Sequence, residues 1–427
     1  MINDRISAAM TDRRVLRHMK QTHTQDGKHT KKLTRKQLSL YSTILHKIYT
    51  KHAISRIDIA NETGITTATV SLICSELLSI GLIQEVGEIA SPCDKAGRKK
   101  ILLSVRPGHS YYIGAELSEK FFAFVLTDNT GVVLEKKTVT PDIHSTITTD
   151  FFAEQLLCFL KTALPLVPRI NAVGIAVPGH FSPGSSRIMT NNAYWESFDL
   201  EALASKLPLP VFFSNNVHCM ARAESLFFSE GDDTDGNFTF FHIGRGIHCA
   251  HMYHNDLYSK HNLNIGELGH ITIQPGGELC ECGKKGCLQT FASETWLVRK
   301  ARLLYRTSSH TFLHQLAENE ESISLSTILD AYNLGDTAIV FLIHQAVESI
   351  WITITNLNMI IDSSRVFVHS KLFCTHSTAA LLREYLERKS SPFVSPPQQL
   401  IIKPYSPYTG AIGASAFAVW RALLQKD

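Results

Sequence analysis

The densest chemistry in the chain lies in one octapeptide. Cys280-Glu281-Cys282-Gly283-Lys284-Lys285-Gly286-Cys287 sets three thiols within eight residues, and its two glycines let the backbone fold back on itself. Thiolates so spaced supply three corners of a tetrahedral zinc site, and a neutral imidazole suits the fourth. His270, ten residues before Cys280, is the nearest such imidazole. His270, Cys280, Cys282 and Cys287 are therefore the expected metal ligands. Four protein donors leave no open position for an activated water, so the expected Zn2+ is structural rather than hydrolytic. Reduced thiols in a metal-free loop remain the alternative. The nine cysteines are odd in number and scattered, which argues against a disulfide framework. Cys74, Cys158, Cys219, Cys249 and Cys374 stand in apolar contexts and read as core residues, whereas Cys93 lies in a polar loop.

A second pattern can do recognition rather than bond chemistry. Ala60-x3-Gly64-x5-Val70 matches a helix-turn-helix: a small residue for close helix approach, a glycine for the tight turn, and an apolar anchor on the second helix. Thr66, Thr67, Thr69 and Ser71 then fall near the start and outer face of that helix, where side chains reach base edges in the major groove. Gly97-Arg98-Lys99-Lys100 follows in a loop, where Arg98 and Lys99 can enter a narrow A·T-rich minor groove or simply stand in solvent.

These residues need elements to hold them. Leu38, Tyr41, Ile44, Leu45 and Ile48 recur at helical spacing. Ser55 caps a short helix over residues 56–63 that Gly64 stops, and Thr66 or Thr67 opens another that ends near Gly81. Two strands, residues 82–88 and 100–105, flank the basic loop as a wing would. After Pro107 the pattern becomes α/β. Strands are expected at 111–117, 121–127, 132–139, 172–177, 211–214, 238–243 and 366–369. Helices are expected at 150–164, 218–228, 293–305, 325–331 and 339–357.

Charge divides the chain in the same place. The total of 42 Lys+Arg against 39 Asp+Glu gives +3, but residues 1–106 carry 18 against 9, a balance of +9, and the remainder −6. A basic first quarter points to an anionic partner, nucleic acid or membrane surface. Residues 1–35 are polar and basic, either a flexible tail or an arm on phosphates. With 44% hydrophobic residues, a mainly disordered chain is excluded. The first thirty residues, basic and without a following apolar run, do not read as a signal peptide, and the charge-free run at residues 349–361 is too short for a membrane helix of about twenty residues. A cytoplasmic protein with no membrane partner is expected.

Gly266-Glu267-Leu268-Gly269-His270, ahead of the Cys-x-Cys-Gly-x2-Gly-Cys run, resembles the signature of the ROK family (repressors, open reading frames and sugar kinases). With a winged helix-turn-helix in front, residues 36–427 resemble the family's sugar-responsive repressors of the Mlc and NagC type. The resemblance implies an α/β fold: a winged helix-turn-helix over residues 36–106, then a two-lobed, actin-like and hexokinase-like domain over residues 107–427. Lobe one would take residues 108–215 with 410–427, and lobe two residues 216–409. Carried onto this chain, the family's sugar contacts would be Asn215, Glu267 and His270, the last also a zinc ligand. Pro178-Gly179 and residues 190–195 resemble other parts of its sugar lobe.

Departures from the family's kinases are as informative. Asn216 stands where they carry a catalytic Asp, and an amide cannot accept a hydroxyl proton at neutral pH. Gly114-Ala115-Glu116-Leu117-Ser118 lacks their Asp-x-Gly-x-Thr turn, His248 replaces a glycine in Gly244-Arg245-Gly246-Ile247-His248, and His369-Ser370-Lys371 replaces paired glycines. Gln289 replaces a Glu after the last Cys, and His218 an Asn. Asn216 and Gln289 thus complete the expected ligand site, with two carboxylates fewer. That favours an anionic effector such as a sugar phosphate, unless the pocket binds nothing. The expectation is a non-enzymatic, dimeric or higher-order repressor of carbohydrate genes that binds a double-stranded, palindromic operator under control of a sugar or sugar phosphate. A kinase with an appended DNA module, or a regulator docking a protein partner, are the alternatives.

Overall fold

The computed structural model describes residues 34–89, 100–141, 147–181, 186–189, 195, 197–228, 236–258, 262, 264–388 and 399–425. The chain divides into two compact units, Met1–Thr234 with Pro407–Asp427, and Asp235–Ser406. Residues 1–33 and the segment holding Cys93, Arg98 and Lys99 lie outside the described residues, as does most of 190–195.

The first unit opens with α1 (Arg35–Lys51), started by a capping box in which Thr34 and Gln37 bond each other's backbone. After the short β1 (Ile54–Ser55) come α2 (Arg56–Thr63) and α3 (Thr67–Ser79). Ser55 caps α2 by accepting from the Asp58 amide, and Gly64 ends it at φ 68°. Strands β2 (Ile83–Ile89) and β3 (Lys100–Val105) pair antiparallel, with β1 on the far edge of β3. Three helices and a wing are thus built around Ile44, Ile48, Ile59, Val70, Ile73, Leu77 and Leu103, all buried.

The chain continues into β4 (Tyr111–Leu117), β5 (Phe122–Asp128), β6 (Val133–Val139), α4 (Thr149–Ala163), β7 (Ile170–Val177), α5 (Leu200–Lys206), β8 (Val211–Asn215) and α6 (Asn216–Leu226). The sheet runs β6-β5-β4-β7-β8, with β4, β7 and β8 parallel. A C-terminal helix, Thr409–Val419, lies against its central strands with its backbone almost touching theirs. A Cβ on Gly114 would stand 1.9 Å from the Ala411 carbonyl, and one on Gly174 1.9 Å from that of Ala414. Those glycines are register partners on β4 and β7.

Beyond that helix a wide π-helical turn, Trp420–Leu424, enters the interior of the winged module, where Ala422 and Leu424 share a core with Ile44, Ile48 and Leu77. Ser42 of α1 donates to the Leu424 carbonyl, and the Tyr49 hydroxyl donates to the Asn129 carbonyl at 3.1 Å. The start of the C-terminal helix has no side-chain cap from Tyr408; instead the Gly410 amide donates to the buried carboxyl of Glu116. Burial pushes that carboxyl up to about 8.

The second unit holds β9 (Phe238–Ile243), β10 (Ile247–Tyr253), β11 (Asp256–Leu257), α7 (Gln289–Ala292), α8 (Glu294–Thr307), α9 (Leu313–Leu316), α10 (Leu325–Asn333), α11 (Thr337–Asn358), β12 (Arg365–Ser370), α12 (His376–Arg388) and β13 (Gln399–Lys403). Its sheet runs β11-β10-β9-β12-β13. By length and composition α11 could cross a membrane, which the charge-free run at 349–361 did not reveal because Glu348 ends that run within the helix. Half of its most apolar stretch is buried within this unit, including Leu342, Ile343, Val347 and Ile350 in the core.

The expected strands and helices are present, most within two residues of their bounds, but α5, α12, β10, β13 and the C-terminal helix were not foreseen, nor were the short β1, β11, α7 and α9. Cys158 and Cys374, expected in the core, are exposed: Cys158 on the outer side of α4 and Cys374 in the bend before α12, despite apolar neighbours in sequence.

Gly174→Ala is expected to destabilise the first unit by about 3 kcal/mol or more, because the new methyl meets backbone that cannot yield. Thermal unfolding equal to the parent would remove the close approach. Glu116 holds its proton between pH 4.5 and about 8 in the folded chain and loses it in the unfolded one, so it costs stability as pH rises through that window. Glu116→Gln should therefore flatten the fall in melting temperature from pH 5 to 8; an unchanged slope would contradict a buried neutral carboxyl.

Candidate functional site

His270 ends a single helical turn, Leu268–His270, and the thiols follow in a loop that folds back to it. The Cys280 amide donates to the Lys284 carbonyl at 2.8 Å and Gly283 N–H to the Cys280 carbonyl at 2.9 Å, closing the turn between the first two thiols. Gly286 has φ 73°, and a Cβ there would lie 1.6 Å from the Gln274 carbonyl, so only glycine fits. The ligand atoms of His270, Cys280, Cys282 and Cys287 all lie within 4.8 Å of one another. Cys282 and Cys287 sulfurs stand 3.6 Å apart, and His270 Nδ1 stands 3.5 Å from the Cys280 sulfur. A tetrahedral ion with Zn–S bonds near 2.3 Å sets its sulfurs about 3.8 Å apart, so the cluster has room for one metal ion and little else.

The electrostatics fit the same occupant. Burial pushes the Cys287 thiol up to about 12 and raises Cys280. At Cys282 burial is outweighed by the Lys284 amide and the neighbouring thiols, which lower it. Burial also lowers His270, keeping the imidazole neutral as a ligand must be. Three thiols this close ionise together only around a cation.

The metal loop sets its neighbours. Gly266, φ 98°, passes so near β10 that a Cβ would lie 2.2 Å from the Cys249 carbonyl. Glu267 next to it sets Oε2 3.3 Å from His248 Nδ1. Gln289 is buried, and its amide donates to the carboxylate of Glu281, inside the metal loop. Sequence reasoning missed Glu281, which sets a carboxylate against Gln289.

Asn215 and Asn216 belong to the first unit, whereas Glu267, His270 and Gln289 belong to the second. Asn215 caps α6, accepting from the Val217 amide at 2.9 Å, and donates to the Gly179 carbonyl at 2.8 Å. Asn216 Oδ1 accepts from the same Val217 amide at 2.9 Å.

Four basic side chains form a row across the second unit's sheet, His248 opposite His242, His242 opposite His369, and His369 opposite Lys403. His242 Nδ1 is 3.0 Å from His369 Nδ1, and the rings stack at 5.2 Å. A Cβ on Gly244 would meet His242 Nε2 at 2.9 Å, and one on Gly246 would meet His248 Nε2 at 2.7 Å. Imidazoles therefore lie on both glycines of the turn where a phosphate cradle would need bare backbone. Burial holds His242 well below its usual value, and burial with the Lys403 charge brings His369 down to about 4, so neither is a cation at neutral pH. Their pairing joins residues 127 apart in sequence, and no local pattern could have found it.

On the winged module, Thr67 and Ser71 point outward from α3. Thr66 caps that helix, and its hydroxyl lies 2.9 Å from that of the half-buried Thr69. Lys47, Arg56 and Lys100 are paired with Glu62, Glu85 and Asp58.

Residues 112–420 match the ROK family. The chain belongs to the ROK family. It is 25% identical over 336 residues to the xylose repressor of Bacillus spizizenii, covering 78% of this chain and 82% of that protein. A solved ROK family transcriptional regulator, a homologue of the Escherichia coli MLC protein, superposes with a TM-score of 0.71 at 22% identity, over 92% of this chain and 98% of that one. A ROK family glucokinase from Streptomyces griseus, solved with glucose and AMPPNP, superposes at 0.61 with 21% identity, over 72% and 99%. Among ROK proteins this chain thus shares its fold with regulators and kinases alike, and the winged module lies ahead of the matched residues.

Cys282→Ala is expected to abolish bound metal, measured by elemental analysis of the purified chain, and to lower the melting temperature, since a structural ion contributes folding energy directly. Metal content and melting equal to the parent would remove the assignment.

Proposed function

We propose that this chain is a zinc-containing transcriptional regulator, a repressor of carbohydrate uptake or utilisation genes whose operator affinity is set by a sugar or sugar phosphate. The observation that carries this is the winged helix-turn-helix sharing a core with the first ROK unit, with the outer face of its second helix exposed. The likeness to a xylose repressor over most of both chains supports the same reading. Thr66, Thr67, Thr69 and Ser71, with Arg98 and Lys99, are the proposed DNA contacts. Asn215, Asn216, Glu267, His270 and Gln289 are the proposed effector contacts. Zn2+ held by His270, Cys280, Cys282 and Cys287 would fix the loop that carries Glu267. A cytoplasmic homodimer on a palindromic, A·T-rich site accommodates two winged modules. With the Glu281 carboxylate beside Gln289, the case for an anionic effector rests on Asn216, so neutral sugars stand level with sugar phosphates.

A sugar kinase is the second reading, favoured by the superposition on the glucokinase. Against it, Asn216 offers no base, and the His242 and His248 rings cover the glycine turn. An ATP-coupled assay on hexoses and amino sugars should show no turnover; activity abolished at Asn216 would establish the kinase.

The DNA reading is tested with promoter fragments of the chain's own and adjacent operons. Retardation should weaken by about 10³-fold or more between 50 and 200 mM salt, as for proteins making 6–10 phosphate contacts. Failure to retard any of these fragments would contradict it.

A further inference from the structure

We propose that α3 reads the C5 methyl groups of thymine, with Leu72 as the specificity-determining contact. This rests on the DNA-binding reading above.

The inward face of α3 is Val70, Ile73, Cys74 and Leu77, all buried. The stripe directly opposite, by helical spacing, is Ala68, Leu72, Ser75 and Ser79, and all four are exposed. Leu72 stands 61% exposed in the middle of that stripe. Packing of the module gives no reason for a large apolar side chain there.

The chemistry around Leu72 narrows what it meets. From Thr66 to Ser75 there is no charged, amide or imidazole side chain, so these turns hold none of the bidentate partners that recognise guanine or adenine. Most of the hydroxyls are engaged locally: Thr66 with Thr69, and Ser75 with the Ser71 carbonyl at 2.8 Å. Thr67 and Ser71 remain as polar contacts, beside the alkyl surface of Ala68 and Leu72. In the major groove the apolar feature of a base edge is the thymine methyl. Leu72, sixth in the helix and one turn beyond Ala68, is where a second helix of this type meets base edges. The positive balance of the first 106 residues, +9, suits an anionic partner such as a duplex and not an apolar protein face.

The test uses the full chain and a duplex enriched from a random pool by that chain, resynthesised with deoxyuridine in place of each thymidine in turn. One or more positions in each half-site should weaken roughly three- to tenfold on loss of the methyl, the scale of one buried methyl group. Leu72→Ala, an exposed substitution, should bring the thymidine-to-deoxyuridine ratio at those positions near one while keeping the salt dependence. Equal binding of thymidine and deoxyuridine at every position would overturn the proposal, and so would an unchanged ratio in Leu72→Ala. A variant altered in oligomeric state with its ratio intact would assign Leu72 to a protein contact instead. If the chain enriches no duplex at all, the DNA-binding reading itself fails.

Discussion

The backbone of the C-terminal helix rests directly on the first unit's sheet because Gly114 and Gly174, opposite one another on β4 and β7, carry no side chains there. Much follows from that contact. The helix is built of small residues, Thr409 to Val419, and at Gly413 it also meets the backbone of α6 at Cys219. Its far end supplies Leu424 to the core of the winged module and the carbonyl that Ser42 bonds. The module is therefore not tethered by residues 106–110 alone. Its first helix is held by a shared apolar core and by hydrogen bonds to Leu424 and Asn129, so movement of the sheet and of the DNA reader cannot be independent.

In the second unit the ordering constraint is the metal cluster. Three thiols and an imidazole in so small a space settle the loop from His270 to Cys287, and Gly266 presses its approach onto β10. Glu267 and Glu281 are consequences of that loop: one faces His248, the other Gln289. The glycine-rich turn after β9 kept its first two glycines, yet the His242 and His248 rings now occupy the space over them.

What was legible in the sequence follows from how local each signal is. The winged module could be read because Ser55, Gly64 and Thr66 punctuate it, and their roles in the structure are those their residue types dictate. The metal cluster was legible because its ligands lie within one loop. The C-terminal helix was not, since its mostly small residues and its apolar Ile412, Phe417 and Val419 form no single stripe to detect. Strand β10 was hidden by His248 and His251, polar residues that break its apolar run and find their partners, Glu267 and Thr239, only in the fold. The carboxylate beside Gln289 was not legible because it comes from Glu281, eight positions away across a turn. The row from His248 to Lys403 depends on strand register across the sheet, which no local pattern records.

The central claim is that one chain couples carbohydrate binding to DNA affinity. The direct measurement is fluorescence anisotropy of a bound promoter duplex at fixed salt, repeated with a panel of pentoses, hexoses, amino sugars and their phosphates. At least one compound should change the dissociation constant by about fivefold or more, the scale of a coupled site. A duplex affinity unmoved by every compound, with calorimetry also silent across the panel, would contradict the coupling.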